Sequence, residues 1–481
     1  MALRSENERE ATPAPDNPDM VLLLRCLQAI QQAMSDVIVP DLTSQHAITS
    51  GHIALRLLEN LLAANGRPLS LNWPQPPDAA LENAWRASGR DSGAALSGKV
   101  LADAMAPLVA DGSEEAKRFL ETLARSQKAA LVRVDPDVAR GVADMYRGGR
   151  KSDDEPKKQI KKPLLTTDRL TEYLRRKFPD RPDSSVVALN NLPGGMSKQT
   201  IKVTTEERGK SDCFIIRKDF ELSPADRTVV DEFPLLRFVW DAGGVPMPEP
   251  LWLEPDASIL GAPFMVMGFV EGSNNYESIA ADPKAKERLT NSLAAALARL
   301  HSIVPPEAAG SSAQEHMAKE IEVWYSGWKR WQIQPRPLME GAFAWLRANV
   351  PASGRGPSLV HGDVGFHNML NKDGEVTGLL DWEFAHIGDA AADLVYARPF
   401  IETVLDWQSF LMAYEAHGGV APNAEEEKFY SVWGSARNAA GCGGALKKFH
   451  DPEADMRLGA SGMTFLGRFE LDAFERAIAN P

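Results

Sequence analysis

A chain of 481 residues can hold two or three domains, each large enough to bury its own core. Charged residues make up 25% and hydrophobic ones 44%, the mix of a globular protein, and the net charge of −13 speaks against a general nucleic-acid or anionic-membrane binder. The cysteines, Cys26, Cys213 and Cys442, have neither metal-ligand spacing nor an even framework. They read as small buried hydrophobes in a reducing, cytoplasmic setting. No run approaches the roughly 18 consecutive apolar residues of a membrane span.

Residues 1–18 are polar, acidic and proline-bearing, which predicts a disordered tail and not a secretory signal. Over 19–146 the spacing predicts a small all-helical domain: Val21, Leu24, Leu27, Ile30 and Met34, then Ile53, Leu57 and Leu61, recur at three- and four-residue steps. Prolines from Pro68 to Pro77 interrupt it, and helical patterns resume near Ala79, Leu96 and Ser113. Ser113 followed by Glu114 and Glu115 has the form of an N-cap with acids in the first turn. His46 and His52 have no evident metal partners, so this domain is read as an accessory unit, a place for a protein partner or a dimer contact. Residues 147–163 string lysines and arginines around Asp153-Asp154-Glu155 with almost nothing apolar, the composition of a solvated linker.

A different pattern begins at 164. Leu170, Leu174 and Phe178 predict a helix, followed by strands at Val186–Leu189, Thr200–Thr204 and Phe214–Arg217. Gly194-Gly195-Met196-Ser197 lies between the first two strands, as a hairpin turn or as a nest whose backbone amides approach phosphate oxygens. Arg217 and Lys218 are adjacent on the third strand and must face opposite ways, so only one can enter a cleft; Arg217 is the expected one. Glu232 is the acidic partner expected nearby, although Pro234 predicts a helix that starts only at 234. Pro263–Glu271 reads as an apolar strand and a hinge. Beyond 272 the pattern is helix-rich, with stripes at Leu289, Leu293, Leu297, Leu300 and at Val323, Trp324, Trp328, Trp331, both read as core.

The most specific segment is His361-Gly362-Asp363-Val364-Gly365-Phe366-His367-Asn368, followed by a strand and Asp381-Trp382-Glu383. Asp363 and Asn368 have the five-residue separation of the kinase loop H-R-D-x-x-x-x-N, with Gly362 in place of the arginine. In that grammar Asp363 receives or orients the acceptor hydroxyl and its proton, while Asn368 and Asp381 hold Mg²⁺. His361 is expected to pack the loop, and His367 has no assigned duty. Asp389 and Asp393 are expected to satisfy buried backbone amides, and Glu383 to support Asp381.

These residues, with Leu192-Pro193-Gly194-Gly195-Met196-Ser197, Gly243-Gly244-Val245-Pro246-Met247-Pro248, Leu260–Met267, Leu300-His301 and Gly388–Leu394, resemble the aminoglycoside phosphotransferase/choline kinase superfamily over roughly 164–480. Within it the chain looks most like phosphotransferase proteins related to the kinase domains of acyl-CoA dehydrogenase fusions. The resemblance implies an α+β, bilobal protein-kinase-like fold preceded by a small all-α domain. Its N-terminal lobe would be 164–271 and its helix-rich C-terminal lobe, with the catalytic loop, 272–481. It implies ATP and Mg²⁺ as cofactors, with Gly194, Gly195, Ser197, Arg217 and Glu232 around the phosphates and the backbone near Gly268 and Val270 at the adenine edge. Members of the superfamily usually carry Asn where this chain has Lys198. The expected activity is transfer of a γ-phosphate to a hydroxyl of a small-molecule alcohol, a hydroxyacyl thioester or hydroxy acid among them. The alternatives are an aminoglycoside or macrolide kinase and a catalytically weak nucleotide-binding or regulatory module. Neither nucleic acid nor membrane is an expected partner.

Overall fold

Alternating apolar residues build a sheet close to where the sequence predicts strands. The structure is a computed structural model that describes residues 79–88, 96–130, 165–192, 198–219, 227–332, 334–352, 354–449 and 456–479. The expected tail and charged linker, much of the N-terminal helical region, and Gly194, Gly195 and Ser197 lie outside the described residues. Strands β1 (Ser185–Leu192), β2 (Lys198–Glu207), β3 (Lys210–Asp219), β4 (Pro250–Glu254) and β5 (Phe264–Gly268) form an antiparallel sheet in the order β1-β2-β3-β5-β4. Arg208 and Gly209, at φ 50° and 76°, close the β2–β3 hairpin with the left-handed backbone that matches strand twist.

Helices α1 (Ala79–Ala87), α2 (Gly98–Asp111), α3 (Glu114–Ala130) and α4 (Thr167–Lys177) precede the sheet. Leu170, Tyr173 and Leu174 of α4 pack on Val186, Ile201, Val203, Ile216, Phe264 and Val266, one core of the sheet lobe. Each such side chain contributes about 1.5–3 kcal/mol when fully buried. Helix α5 (Val229–Ala242) crosses between β3 and β4. Its start corrects the expectation of a helix beginning at Pro234: Thr228 and Asp231 form a reciprocal capping box, and Pro234 lies inside the helix. Four residues before Pro234 is Val230, in the first turn, so the ring meets the helix near its end and the cap outweighs it.

The rest is helical: α6 (Pro283–His301), α7 (Ala313–Trp331), α8 (Pro337–Ala348), α9 (Ala390–Ile401), α10 (Trp407–Ala416), α11 (Ala424–Phe449) and α12 (Met456–Ile478). Leu289, Leu293, Leu297 and Leu300 are all fully buried, as the stripe predicts. In the second stripe Trp328 is buried but Val323 is 63% exposed, so that stripe is core on one side only. Small pairings punctuate the helices: β6 (Ser358–Val360) with β9 (His386–Gly388), and β7 (Met369–Lys372) with β8 (Glu375–Leu379).

The described part of the N-terminal helical region is helical as expected and sits on this lobe. A Cβ added to Gly341 of α8 would lie 2.6 Å from both Met105 of α2 and Phe474 of α12. Glycine there lets the three helices close together. Lys128 of α3 pairs with Glu475 of α12 at 3.0 Å.

Candidate active site

Two tight connections bring the catalytic candidates together. The β7–β8 hairpin sets Met369 opposite Leu379, so Asn368 before β7 meets the residues after β8, and the Leu380 amide donates to the Asn368 carbonyl at 2.8 Å. Pairing of β6 with β9 anchors the other ends of the same two loops. Gly362 has φ +81°, and a Cβ on it would lie 2.4 Å from the Phe384 carbonyl oxygen. Glycine is therefore required where the kinase motif has arginine: backbone passes too close for a side chain.

Asp393 of α9 holds that turn. Its carboxylate accepts from the amides of His361 (2.6 Å) and Gly362 (2.7 Å) and contacts His301 Nε2 at 3.2 Å. Burial would raise its carboxyl, but His301, His361 and these bonds hold it below the usual range. Asp389 caps α9 through the Ala391 amide and accepts from Arg355 Nε at 3.0 Å. His361 is buried with its ring on Trp382; Nε2 donates to the Leu380 carbonyl at 2.9 Å while Nδ1 accepts from the Asp363 amide at 3.3 Å. Burial pushes its imidazole below the ordinary value, in keeping with that neutral tautomer.

Asp363 thus projects from a fixed turn. Its Oδ1 accepts from the Tyr396 hydroxyl at 2.7 Å and its Oδ2 from Asn368 Nδ2 at 2.8 Å, with His367 Nε2 at 3.6 Å. Burial would raise this carboxyl, yet His367, Arg437 and Tyr396 together hold it well below the carboxylate range. It is an ionised, weakly basic group at neutral pH.

Asp381, at φ 63°, is a non-glycine residue in left-handed backbone, which turns its carboxylate back toward the sheet lobe. There it accepts from Arg217 at 2.7 Å. Burial opposes its ionisation, but Arg217 and Lys198 lower its carboxyl overall. Arg217 also pairs with Glu232 at 3.3 Å, whereas Lys218 points to the opposite face and donates to the Leu260 carbonyl. Lys198 of β2 completes the network. Its ammonium is 3.0 Å from both Glu232 and Glu383 and is 1% exposed. Against the desolvation that lowers it, these carboxylates raise the affinity of Lys198 for its proton. Glu232, 0% exposed, is thereby shared by two cations.

Asn368 and Asp381 offer hard oxygen ligands beside these cations. Among the described residues no three His, Cys, Asp or Glu side chains are grouped to hold a metal by themselves. That donor set fits Mg²⁺, which takes one or two protein oxygens and completes its shell with phosphates and water. Gly268 ends β5 and its amide donates to the Glu249 carbonyl at 2.8 Å. Val270 packs against β8, its Cγ1 3.5 Å from the position of a Cβ on Gly378. Neither is in the ion network.

Sequence reasoning missed two groups beside Asp363, Tyr396 and Arg437. Tyr396 lies one turn after Asp393 on α9, a signal that was available. Arg437 lies 4.6 Å from the Tyr396 ring centroid, 5.5 Å from that of Phe384 and 6.0 Å from that of Trp324. Its signal was a lone arginine in the small-residue run Gly434–Ala445 of α11.

Comparison with known proteins identifies the family. The model of the phosphotransferase enzyme family matches residues 188–430. Mouse acyl-CoA dehydrogenase family member 10 is 28% identical over 184 residues, covering 37% of this chain and 17% of that protein. Human acyl-CoA dehydrogenase family member 11 is 25% identical over 227 residues, covering 43% of this chain and 29% of that protein. The chain spans less than a third of the length of these relatives. A solved GDP complex of aminoglycoside 2'-phosphotransferase-IIIa is similar at 18% identity, over 64% of this chain and 99% of that one, with a TM-score of 0.44.

Proposed function

Because the chain belongs to the phosphotransferase enzyme family, we propose that its cleft moves the γ-phosphoryl group of ATP to a hydroxyl of a small molecule. The observation that carries this reading is the convergence of Asp363, Asn368 and Asp381 on one side with the Arg217–Glu232–Lys198 network on the other. Phosphoryl transfer needs positioning and charge neutralisation more than covalent help, and these groups supply both.

Asn368 and Asp381 would hold Mg²⁺, whose chemistry when bound is to draw charge from the phosphate oxygens. Arg217 and Lys198, held in place by Glu232, Asp381 and Glu383, present positive charge from the sheet lobe. Asp363 orients the acceptor hydroxyl. As the hydroxyl oxygen bonds to phosphorus, the bond to the leaving diphosphate oxygen breaks and the hydroxyl proton passes to Asp363. The low proton affinity of Asp363 suits a loose transition state, in which that proton is given up late.

Likeness to segments of acyl-CoA dehydrogenase family members supports a hydroxyacyl thioester or hydroxy acid as acceptor. The test is ATP consumption by the full chain across an alcohol library, with product mass reporting an added phosphate. Magnesium-dependent ATP binding without any phosphorylated product would favour a regulatory nucleotide-binding module instead.

A further inference from the structure

Asp381 is claimed twice. Its carboxylate is one of the two oxygen donors read above as holding Mg²⁺, yet its Oδ1 already accepts from Arg217 Nη2 at 2.7 Å. The other terminal nitrogen of the same guanidinium, Nη1, donates to Glu232 at 3.3 Å. One side chain thus joins the sheet lobe to the catalytic segment through two separate nitrogens. Arginine can do this because its planar fork carries donors in fixed directions, whereas a lysine ammonium is a single point of charge.

Both ends of this clasp are fixed. Arg217 lies on β3, the inner strand of the sheet, opposite Thr200 of β2 and Met265 of β5. Glu232 is fully buried and its other oxygen is 3.0 Å from Lys198. Asp381 is turned toward the sheet lobe by its left-handed backbone at φ 63°. Two further contacts hold the segment after Asp381 without using its carboxylate: Lys198 with Glu383 at 3.0 Å, and Arg227 Nη1 donating to the Ala385 carbonyl. The Arg217–Asp381 bond can therefore break while the sheet lobe keeps its hold on residues 383–385. Arg217 then stays anchored on Glu232, with Nη2 released to an incoming anion.

We propose that Arg217 gates the metal site: it occupies the Asp381 carboxylate until nucleotide phosphates draw its guanidinium away, so that Asp381 accepts a divalent ion only together with phosphates. The inference rests on the phosphotransfer reading and adds an order of events to it. A guanidinium 2.7 Å from the carboxylate takes up one of its oxygens and repels a second cation. Phosphate oxygens compete for that guanidinium because they match its fork in two parallel, charge-assisted bonds. By linkage, phosphates that release Asp381 raise its affinity for metal by the same factor as metal raises the affinity for phosphates. The gate keeps a divalent ion from settling on Asp381 with no phosphate beside it.

The experiment has two arms, both with the full chain and neither requiring turnover. In the first, Mn²⁺ alone stands in for Mg²⁺, with which it shares octahedral oxygen coordination, and its binding without nucleotide is read by electron paramagnetic resonance. Arg217→Lys keeps the charge and loses the fork, so it should bind Mn²⁺ about fivefold or more tightly than the parent. Adding Asp381→Asn should abolish that gain. Equal or weaker binding by Arg217→Lys would overturn the gate. In the second arm, ADP and adenosine binding are read by calorimetry with EDTA present. The ADP-over-adenosine ratio should rise about fivefold in Asp381→Asn, because Arg217 is released to the phosphates. In an Arg217→Gln background the same change should leave the ratio where it was. A rise that persists there is plain repulsion between Asp381 and the diphosphate, and it would overturn the gate even if Arg217→Lys fails to fold. Both arms behaving as stated with no phosphate ever transferred would sink the phosphotransfer reading and leave the gate standing. Transfer to an alcohol with Mn²⁺ affinity unmoved in Arg217→Lys would do the reverse.

Discussion

Replacing Lys198 by methionine keeps the apolar stem but removes an ammonium 3.0 Å from each of Glu232 and Glu383. Glu232, 0% exposed, is then left with Arg217 alone at 3.3 Å. Breaking a buried pair by deleting one partner costs about 3–5 kcal/mol, because the remaining charge stays out of water. For a cooperative unit of 150–250 residues each kcal/mol lowers the melting temperature by about 2–4 °C, so a fall of about 6–20 °C is expected. Differential scanning fluorimetry reads it directly. Glu232→Gln should also destabilise, and the double variant should lose less than the sum, with a coupling of about 0.5–3 kcal/mol. A Lys198→Met protein melting within 2 °C of the parent, or an additive double variant, would refute the claim that this lysine is an integral part of the network.

Gly362→Ala forces a side chain into left-handed backbone at φ +81° and within 2.4 Å of the Phe384 carbonyl. Turnover should fall at least tenfold with a lower melting temperature, and an active, fully stable variant would contradict the packing of this turn. Asp363 has its carboxyl held below the ordinary 3.8, so it stays ionised above that pH and its stabilising contribution is lost only as pH falls further. The rate profile should therefore show no acid limb from Asp363 between pH 5 and 8; a limb in that interval which disappears in Asp363→Asn would count against it. Asp381→Asn should weaken nucleotide binding with Mg²⁺ more than without it, and calorimetry showing equal losses would remove Asp381 from the metal site.

Much of the sheet lobe and catalytic loop was legible because the signals are local. Alternating Val186, Ile201, Val203 and Ile216 could face only one way, and the Asp363–Asn368 spacing fixed one loop. That only one of Arg217 and Lys218 could enter the cleft followed from strand alternation, and the choice of Arg217 from the likeness of Phe214-Ile215-Ile216-Arg217 to the kinase V-A-I-K motif. Other features depended on tertiary context. Pro234 read as a helix start because the Thr228–Asp231 cap and the burial of Glu232 against two cations outweigh its local preference. Lys198 looked like a departure from a glycine-rich turn because its carboxylates are 34 and 185 residues away in sequence, and only the folded sheet joins them. Arg437 and Trp324 come from helices α11 and α7, far apart in sequence and joined only by the fold, and the fit of Met105 and Phe474 at Gly341 has no sequence signature at all.

The fate of the γ-phosphoryl group tests the central claim most directly. Labelled ATP with Mg²⁺ and an accepted alcohol is given to the parent and to Asp363→Ala, both at saturating nucleotide. The parent should move the label to the alcohol. Asp363→Ala should bind Mg²⁺·ATP within about threefold of the parent and transfer about 10²–10⁴-fold more slowly, the range for loss of a positioned acid–base group. Transfer by a well-folded Asp363→Ala protein at near the parent rate would contradict the account.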